Sequence, residues 1–293
     1  MNIKPGGTTD DSIPVTDRRG HEPEALDVIP PARMARLVED VGVRKVGLSF
    51  LLTLTLGVLA GAFIAFGSMF FTVTITGSEF GYGPTRLLGG MAFSLGLVLV
   101  IIGGAELFTG NSLIVMAWAN RSITTRALLR NWTIVYAGNL IGAVATAGLV
   151  HFSGTLLLGG GEVGQTASAI ALEKLSLDPV EAFVRGVLCN ILVCLAVWMC
   201  FAARSVSGKI LAIIFPVTAF VALGFEHSIA NMYLLPVAML HMDGRIDAMA
   251  LLANLVPVTA GNVVGGGVLV ALVYWLVYLR PGRQGIGQDA TGR

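Results

Sequence analysis

The chain has 293 residues, of which 55% are hydrophobic and 13% are charged, and its formal net charge is +1. Soluble globular proteins carry about 25% charged residues, so this composition and a mean hydropathy of +0.78 indicate a protein that lies in a membrane. The near-neutral charge and the lack of a basic arm or aromatic-basic stripe argue against nucleic acid as a partner.

The N-terminal segment, residues 1–30, is polar and rich in Pro, Gly, Asp and Glu. It has no apolar stretch of the kind found in secretory signals, so we expect a disordered cytoplasmic tail. Residues 31–280 should form a transmembrane domain, and residues 281–293 should form a cytoplasmic C-terminal tail.

Six apolar stretches in this domain each predict a membrane-spanning helix. They cover residues 46–74, 87–119, 132–151, 182–203, 210–241 and 249–279. About 20 apolar residues suffice to cross the hydrocarbon of a bilayer. The second and fifth stretches are therefore too long for one straight helix.

Positive charge is concentrated on one side of the predicted topology, which favours cytoplasmic termini. The Arg and Lys residues of that side are Arg33, Arg36, Arg44, Lys45, Arg121, Arg126, Arg130, Arg204, Lys209, Arg280 and Arg283. The opposite side carries Arg86, then Lys174 and Arg185 in a predicted acidic loop, then Arg245.

The two overlong stretches share a sequence pattern. Residues 104–111 and residues 224–231 both follow the pattern G-x-E-x4-N. Each is followed by a matched element that ends in Gly-Asn, at Asn139 in one half and at Asn262 in the other. This order predicts two repeats, about 46–151 and 182–279. Three spans per repeat place the halves in opposite orientations, with broken second and fifth helices.

Glu226 and His227 are ionisable residues in the middle of an apolar run. Inside a bilayer each such group costs roughly 2.5–3.5 kcal/mol or more, so it usually faces a pathway or a partner. A break here would expose a helix N-terminus, which attracts anions. An imidazole with an ordinary pKa of about 6.5 could exchange a proton with a weak acid. The alternative is a neutral core histidine that bonds to the backbone at the break.

Glu106 and Glu226 occupy matched positions in the two repeats. As carboxylates facing a pore they would repel an anion, so we expect them to accept hydrogen bonds that hold the breaks in shape. The matched asparagines should also anchor the broken helices; they are Asn111, Asn231, Asn139 and Asn262.

Four segments resemble motifs of the formate/nitrite transporter family, namely residues 103–111, 188–199, 224–232 and 260–267. The resemblance runs from about residue 33 to Arg280. It implies an all-α membrane protein with six transmembrane helices and an aquaporin-like fold. It further implies a homopentamer in the lipid bilayer of a bacterial inner membrane, with one pore in each protomer.

The same resemblance implies a substrate class. Proteins of this family conduct small monovalent anions, and the motif at residues 188–199 and the stretch at residues 254–262 are closer to formate channels than to nitrite channels. We therefore expect formate, with nitrite, hydrosulfide and acetate as the alternatives, and protons as a further partner.

The resemblance also implies which residues meet the anion. Thr109 would face His227 across a central chamber that Asn190 lines, and Lys174 would draw anions into the periplasmic vestibule. Apolar rings would close the pore: Phe93, Leu97 and Leu107 on the cytoplasmic side, and Phe220 and Val193 on the periplasmic side. Without the resemblance, Lys174 would be interpreted as a solvated charge beside Glu173.

Two other classes of protein fit the sequence less well. An aquaporin-type pore for neutral solutes would carry Asn-Pro-Ala in its breaks, where this chain has Thr-Gly-Asn and Ile-Ala-Asn. A membrane enzyme or electron-transfer subunit would need paired ligands for a metal or haem. The cysteines, Cys189, Cys194 and Cys200, lack CxxC spacing and favour packing. We expect no enzyme, no metal and no cofactor.

Overall fold

The computed structural model describes residues 28–243 and 245–280, so the predicted tails fall almost entirely outside the described residues. Within these ranges the regular structure is helical, and the one strand-like pairing is a bridge between Val28 and Ala203. The helices are α1 (Pro31–Val46), α2 (Phe50–Ile75), α3 (Tyr82–Gly103), α4 (Val115–Ala119), α5 (Thr125–Phe152), α6 (Glu162–Leu175), α7 (Pro179–Ala202), α8 (Val206–Ala222), α9 (Ser228–His241) and α10 (Ala248–Val263). Short 3₁₀ segments precede α4 and α6, at Gly110–Ile114 and Thr155–Gly161. After α10 the helix continues with π-helical segments, at Val264–Leu272 and Trp275–Leu279.

Five helices in the described part of the chain are long and apolar enough to cross a membrane: α2, α3, α5, α7 and the continuous helix Ala248–Leu279. The predicted span at 210–241 consists of two shorter helices, α8 and α9, and the predicted span at 87–119 is interrupted after α3. We call residues 104–109 the first break and residues 224–227 the second break. Both begin with a glycine in the left-handed conformation, with φ angles of +75° at Gly104 and +70° at Gly224.

Two helices lie outside the predicted spans. α1 buries Met34, Ala35 and Val38 along one stripe, the pattern of an amphipathic helix. The other is α6, which lies between α5 and α7.

The prediction that Lys174 and Arg185 lie in an acidic loop was wrong, because Lys174 lies in the last turn of α6 and Arg185 lies on α7. With 14 residues, α6 is too short to be recognised as a membrane span.

α1 and α6 lie on opposite sides of the helix bundle. α1 packs on α4, where a Cβ at Gly42 would lie 3.3 Å from Ala117 Cβ. α6 packs on the end of α9, where the His241 ring lies against Gly164. The chain crosses the bundle three times between them, through α2, through α3 with α4, and through α5. We refer below to the α1 side and the α6 side.

Glycines bring two pairs of helices into backbone contact. A Cβ at Gly142 on α5 would overlap the Val58 carbonyl on α2, and a Cβ at Gly265, just after α10, would overlap the Val187 carbonyl on α7. Small residues at such crossings are typical of helix packing in membranes. The same crossing therefore occurs in both halves of the chain, and it places the asparagines of α5 and α10 beside the breaks.

Candidate functional site

The first break is held by a buried carboxylate. Asn111 Nδ2 donates to Glu106 Oε2 at 2.7 Å, and Lys45 Nζ, at the end of α1, lies 3.0 Å from Glu106 Oε1. Asn111 Nδ2 also donates to Asn131 Oδ1 on α5 at 3.0 Å, and Asn111 Oδ1 accepts from Lys45 Nζ at 2.8 Å. The Glu106 carboxylate is thus paired and hydrogen-bonded, as a buried charge must be.

The second break repeats this arrangement. Asn231 Nδ2 donates to Glu226 Oε2 at 2.7 Å, and Lys174 Nζ, at the end of α6, lies 2.7 Å from Glu226 Oε1. Asn231 Nδ2 also donates to Asn254 Oδ1 on α10 at 2.8 Å. One contact differs, since Asn231 Oδ1 has no hydrogen-bond partner among the described residues.

A second pair of asparagines fastens the backbone of each break to the neighbouring helices. Asn139 Oδ1 accepts from Phe108 N at 2.9 Å, and Asn139 Nδ2 donates to the carbonyls of Glu106 at 2.9 Å and Gly57 at 2.8 Å. Asn262 makes the matching bonds to Ser228 N at 2.9 Å, Glu226 O at 2.9 Å and Gly186 O at 2.8 Å. Each break is therefore fixed at both its side chains and its backbone.

Lys45 contacts the first break, but in the sequence it is only one of the positive charges that indicate the cytoplasmic side. Its signal lies in the spacing, because Lys45 precedes Gly57 by the same number of residues by which Lys174 precedes Gly186. Both glycine carbonyls accept from the matched asparagines. The repeated contacts thus begin just before the two predicted repeats, in α1 and α6.

The interpretation of Lys174 as a solvated charge is wrong. Its side chain is 15% exposed and its ammonium group is paired with Glu226, whose side chain is 3% exposed. The helix α6 places Lys174 over the second break, where the negative carboxylate of Glu226 offsets the positive charge of the ammonium group. The paired lysine therefore attracts an anion less than an unpaired lysine would.

The two breaks meet at one hydrogen bond. Thr109 Oγ1 in the first break lies 2.9 Å from His227 Nε2 in the second, and both side chains are buried. His227 Nδ1 accepts from Ala230 N at 3.1 Å and so caps the N-terminus of α9. Because a backbone N–H can only donate, the proton of the neutral ring lies on Nε2. The ring donates to Thr109, whose hydroxyl hydrogen stays free for another acceptor.

One of two predicted site residues on α7, Asn190, contacts Thr109 and so lies next to this bond. Asn190 Nδ2 lies 3.3 Å from Thr109 O, 3.1 Å from Ser112 Oγ and 2.6 Å from Asn262 O. An amide group has two hydrogens to donate, so protein acceptors use all of them. Asn190 thus fixes the backbone of Thr109 relative to α10. Val193 is buried in the core but lines neither of the cavities described below.

Two cavities approach the Thr109–His227 bond from opposite sides. The α1-side cavity has a volume of about 270 Å³ and is lined by residues of α1 and the first break, with Lys45, Lys209, Leu97 and Leu107 among them. The α6-side cavity has a volume of about 60 Å³, and its lining includes His227. Because only the second cavity reaches His227, the barrier between the cavities lies on the α1 side of the ring.

Apolar side chains separate the two cavities. Leu97 and Leu107 line the α1-side cavity, whereas Phe93 and Phe220 line the α6-side cavity and pack edge-on with ring centroids 5.5 Å apart. Phe93, which we expected beside Leu97 and Leu107, lies one turn earlier on α3 than Leu97 and also contacts Phe220. Phe220 also stacks on His227 at 5.9 Å.

This geometry suits a small polar or anionic solute. The apolar side chains exclude water, and an unsolvated charge between them is costly. Thr109 and His227 supply hydrogen-bond donors beside these apolar side chains. No group of three or more His, Cys, Asp or Glu side chains that could hold a metal occurs in residues 28–243 and 245–280.

Comparison with known proteins extends over most of the chain. A family model described as Formate/nitrite transporter matches residues 32–276. The formate channel FocA of Escherichia coli (strain K12) is 40% identical over 274 residues, which cover 87% of this chain and 96% of that protein. The probable formate transporter of Methanothermobacter thermautotrophicus is 40% identical over 250 residues, covering 78% of this chain and 89% of that protein.

Two solved structures share the fold. A pentameric formate channel with formate bound has a TM-score of 0.74 and 42% sequence identity, over 78% of this chain and 98% of that one. An FNT family ion channel has a TM-score of 0.77 and 29% identity, over 84% of this chain and 98% of that one.

Proposed function

Because the chain belongs to the formate/nitrite transporter family, we propose that it forms a channel for small monovalent anions with formate as its substrate. The similar solved structure is a pentameric channel that holds formate, and we propose the same assembly for this protein. The α1 side, where Arg and Lys are concentrated, would face the cytoplasm of a bacterial inner membrane, with both termini there.

The hydrogen bond between Thr109 and His227 is the observation that carries this proposal. It joins the two breaks at 2.9 Å, between two cavities that open toward opposite sides of the bundle. A solute that crosses the protein through these cavities must pass this bond. The donors held there are a hydroxyl and a ring N–H, both of which suit a carboxylate.

In the proposed passage an anion leaves water at one cavity and replaces the mutual bond. It accepts from the free hydroxyl hydrogen of Thr109 and from His227 Nε2–H. The anion then stands between apolar side chains, where an unpaired charge costs of order tens of kcal/mol in an idealised low-dielectric medium. Formate is the anion of a weak acid, so a proton would remove this charge.

Proton-linked passage requires His227 to hold a second proton for a moment. That proton can only bind at Nδ1, which must first release Ala230 N–H. Leaving a buried N–H without a partner costs about 1–3 kcal/mol, so the ring stays neutral in the absence of an anion. A carboxylate beside Nε2 offsets this cost: water in the α6-side cavity, which His227 lines, would give the proton to Nδ1, and the Nε2 proton would pass to the carboxylate. The ring, left neutral with its proton on Nδ1, would then lose that proton to water and take one up at Nε2, which restores the bond to Ala230 N. Formic acid, which is uncharged, crosses the apolar side chains.

The proposal is tested by uptake into proteoliposomes that contain the purified protein. Formate, nitrite, hydrosulfide and acetate are compared from mildly acidic to mildly alkaline pH, against liposomes without protein. We expect formate uptake to be fastest and to increase as the pH falls. Faster nitrite or hydrosulfide uptake would make one of these anions the substrate. Passage of water or glycerol without any of the four anions would indicate a neutral-solute pore instead.

The variant His227→Asn sharpens the test. Asn is a favoured N-cap residue, so it can keep the bond to Ala230 N while it removes the titratable ring. The control is His151→Asn at the end of α5, outside both cavities. If His227→Asn kept the wild-type formate flux and its pH dependence, the proposed role of His227 would be wrong.

A further inference from the structure

Two guanidinium groups flank the second break on the α6 side. Arg86 Nη2, from α3, donates to Val221 O at 2.6 Å, and Arg185 Nη1, from α7, donates to Gly224 O at 3.1 Å. A Cβ at Gly224 would lie 3.5 Å from Arg185 Nη1 and 3.7 Å from Arg86 Nη2. Both arginines line the α6-side cavity together with His227. The two groups thus converge on the approach to the central bond.

The first break is built without such a pair. Glu106 N donates to Leu56 O as Glu226 N donates to Arg185 O, so the residue matched to Arg185 is a leucine. By the same spacing before the break, the residue matched to Arg86 is Val206. The carboxylate, lysine and asparagine contacts occur in both breaks. Within the described residues, a guanidinium bonds the backbone only at the second, from Arg185 to Gly224 in the break and from Arg86 to Val221 just before it. The arginines are therefore not needed to shape a break.

Lys209 does not fill the same place on the α1 side. It lies one turn after Val206 and lines the α1-side cavity. No bond from its side chain to the first break occurs among the residues that the structure describes. Among the described residues, a pair of arginines that bonds the backbone at a break, Arg86 and Arg185, therefore occurs only on the α6 side.

One cation around the α6-side cavity has no ion-pair partner in the described ranges, although the exposed carboxylate of Glu173 also lines this cavity. Lys174 is paired with Glu226, and Arg185 Nη2 is paired with Glu181. Arg86 has no acidic partner in the described ranges, and its Nε is buried without a hydrogen-bond acceptor. Its guanidinium lies 5.7 Å over the Phe71 ring, which also lines the cavity. A buried charged donor without an acceptor indicates a place that a ligand or water fills.

We propose that Arg86, with Arg185 beside it, is a binding site for the transported anion on the α6 side, occupied before the anion reaches His227. This inference rests on the proposed function. The ligand is a planar carboxylate or a similar monovalent oxyanion, because a guanidinium binds such groups through two parallel N–H donors. Lys174 holds the break in shape, and Arg86 supplies a positive charge that is not committed to an ion pair among the described residues.

The test uses tracer exchange of labelled formate at equal concentrations on both sides of vesicles with one protein orientation. Methanesulfonate, the anion of a strong acid, is added on one side as a competitor; it cannot take a proton at His227 and so stays on that side. Variants are Arg86→Gln, Arg185→Gln and Arg86→Lys. The matched control is Arg245→Gln, which removes an exposed arginine of the α6 side that lines a different cavity.

With methanesulfonate on the α6 side, we expect Arg86→Gln to raise the half-inhibitory concentration about tenfold, since clefts lined by charge raise local ion concentration by about tenfold or more. Arg185→Gln should raise it less, because part of its charge is already paired. Arg86→Lys should give an intermediate value, because it keeps the charge and loses the planar fork. With the competitor on the α1 side, all values should match the wild type, and Arg245→Gln should match it on both sides.

The proposal is overturned if Arg86→Gln leaves inhibition from the α6 side unchanged, or changes it equally from both sides. Normal exchange at saturating formate and an unchanged elution volume establish that each variant is folded. If the wild type exchanges no formate, the proposed substrate fails, and the same comparison is made with nitrite, hydrosulfide or acetate. If none of the four anions exchanges, both proposals are wrong.

Discussion

The Lys174–Glu226 pair gives the sharpest prediction about what holds the second break. The variant Lys174→Met leaves a carboxylate that is 3% exposed with Asn231 as its remaining side-chain donor. Removing one partner of a buried ion pair costs about 3–5 kcal/mol. Because the Lys174 side chain is itself 15% exposed, we expect the lower end of this range, about 3 kcal/mol. The double variant Lys174→Met/Glu226→Gln removes both charges and keeps an acceptor for Asn231, so it should lie within about 1 kcal/mol of the wild type.

The assay is the free energy of unfolding in mixed micelles, from denaturant titration, with melting temperatures as a second measure. The two single variants and the double variant form a cycle, which should give a coupling energy of at least about 2 kcal/mol, the difference between Lys174→Met and the double variant before the cost of Glu226→Gln is added. The matched cycle on Lys45 and Glu106 should give less, because the Lys45 side chain is 27% exposed. A double variant as unstable as Lys174→Met, with a coupling below about 0.5 kcal/mol, would refute the structural role of this pair.

Three further predictions concern the backbone, the helix crossings and the barrier. Asn262→Ala should destabilise the protein by about 1–3 kcal/mol or more, since it leaves Ser228 N and two carbonyls without their partner; an unchanged melting temperature would contradict this. Gly142→Ala should cost about 1–3 kcal/mol through overlap with the facing backbone, whereas Gly148→Ala, with nothing within 4 Å of its Cβ, should be neutral or slightly stabilising; equal melting temperatures would refute the close crossing. Phe220→Ala should let larger carboxylates such as lactate pass, because it removes the ring that packs against both Phe93 and His227; unaltered selectivity in uptake assays would count against a constriction at Phe220.

Much of the account follows from residue type and spacing. The apolar stretches and the family motifs predict a helical transport protein of the membrane rather than an enzyme, and family membership confirms this. The pattern G-x-E-x4-N places Glu106 and Glu226 at the two breaks, where their carboxylates bond the matched asparagines. These features could be found because each element lies close in sequence to its partner.

Features that depend on contacts between residues far apart in the chain could not be predicted from the sequence. The bond from Lys45 to Asn111 joins residues 66 positions apart, and α1 is amphipathic and so gives no hydropathy signal. The contact between Phe93 and Phe220 could not be predicted, because adjacent turns of α3 carry equally apolar residues. Arg86 served as a topology marker, since its contact with Val221 spans 135 positions.

The movement of protons with formate tests the central claim, that His227 links the two, most directly. Proteoliposomes loaded with a pH-sensitive dye are given a pulse of formate, and the internal pH is followed together with labelled formate. Liposomes without protein correct for formic acid that crosses the lipid. The account predicts that the wild type carries a proton with each formate and that His227→Asn carries little formate and no coupled proton. Equal coupled movement of protons and formate in His227→Asn would contradict it.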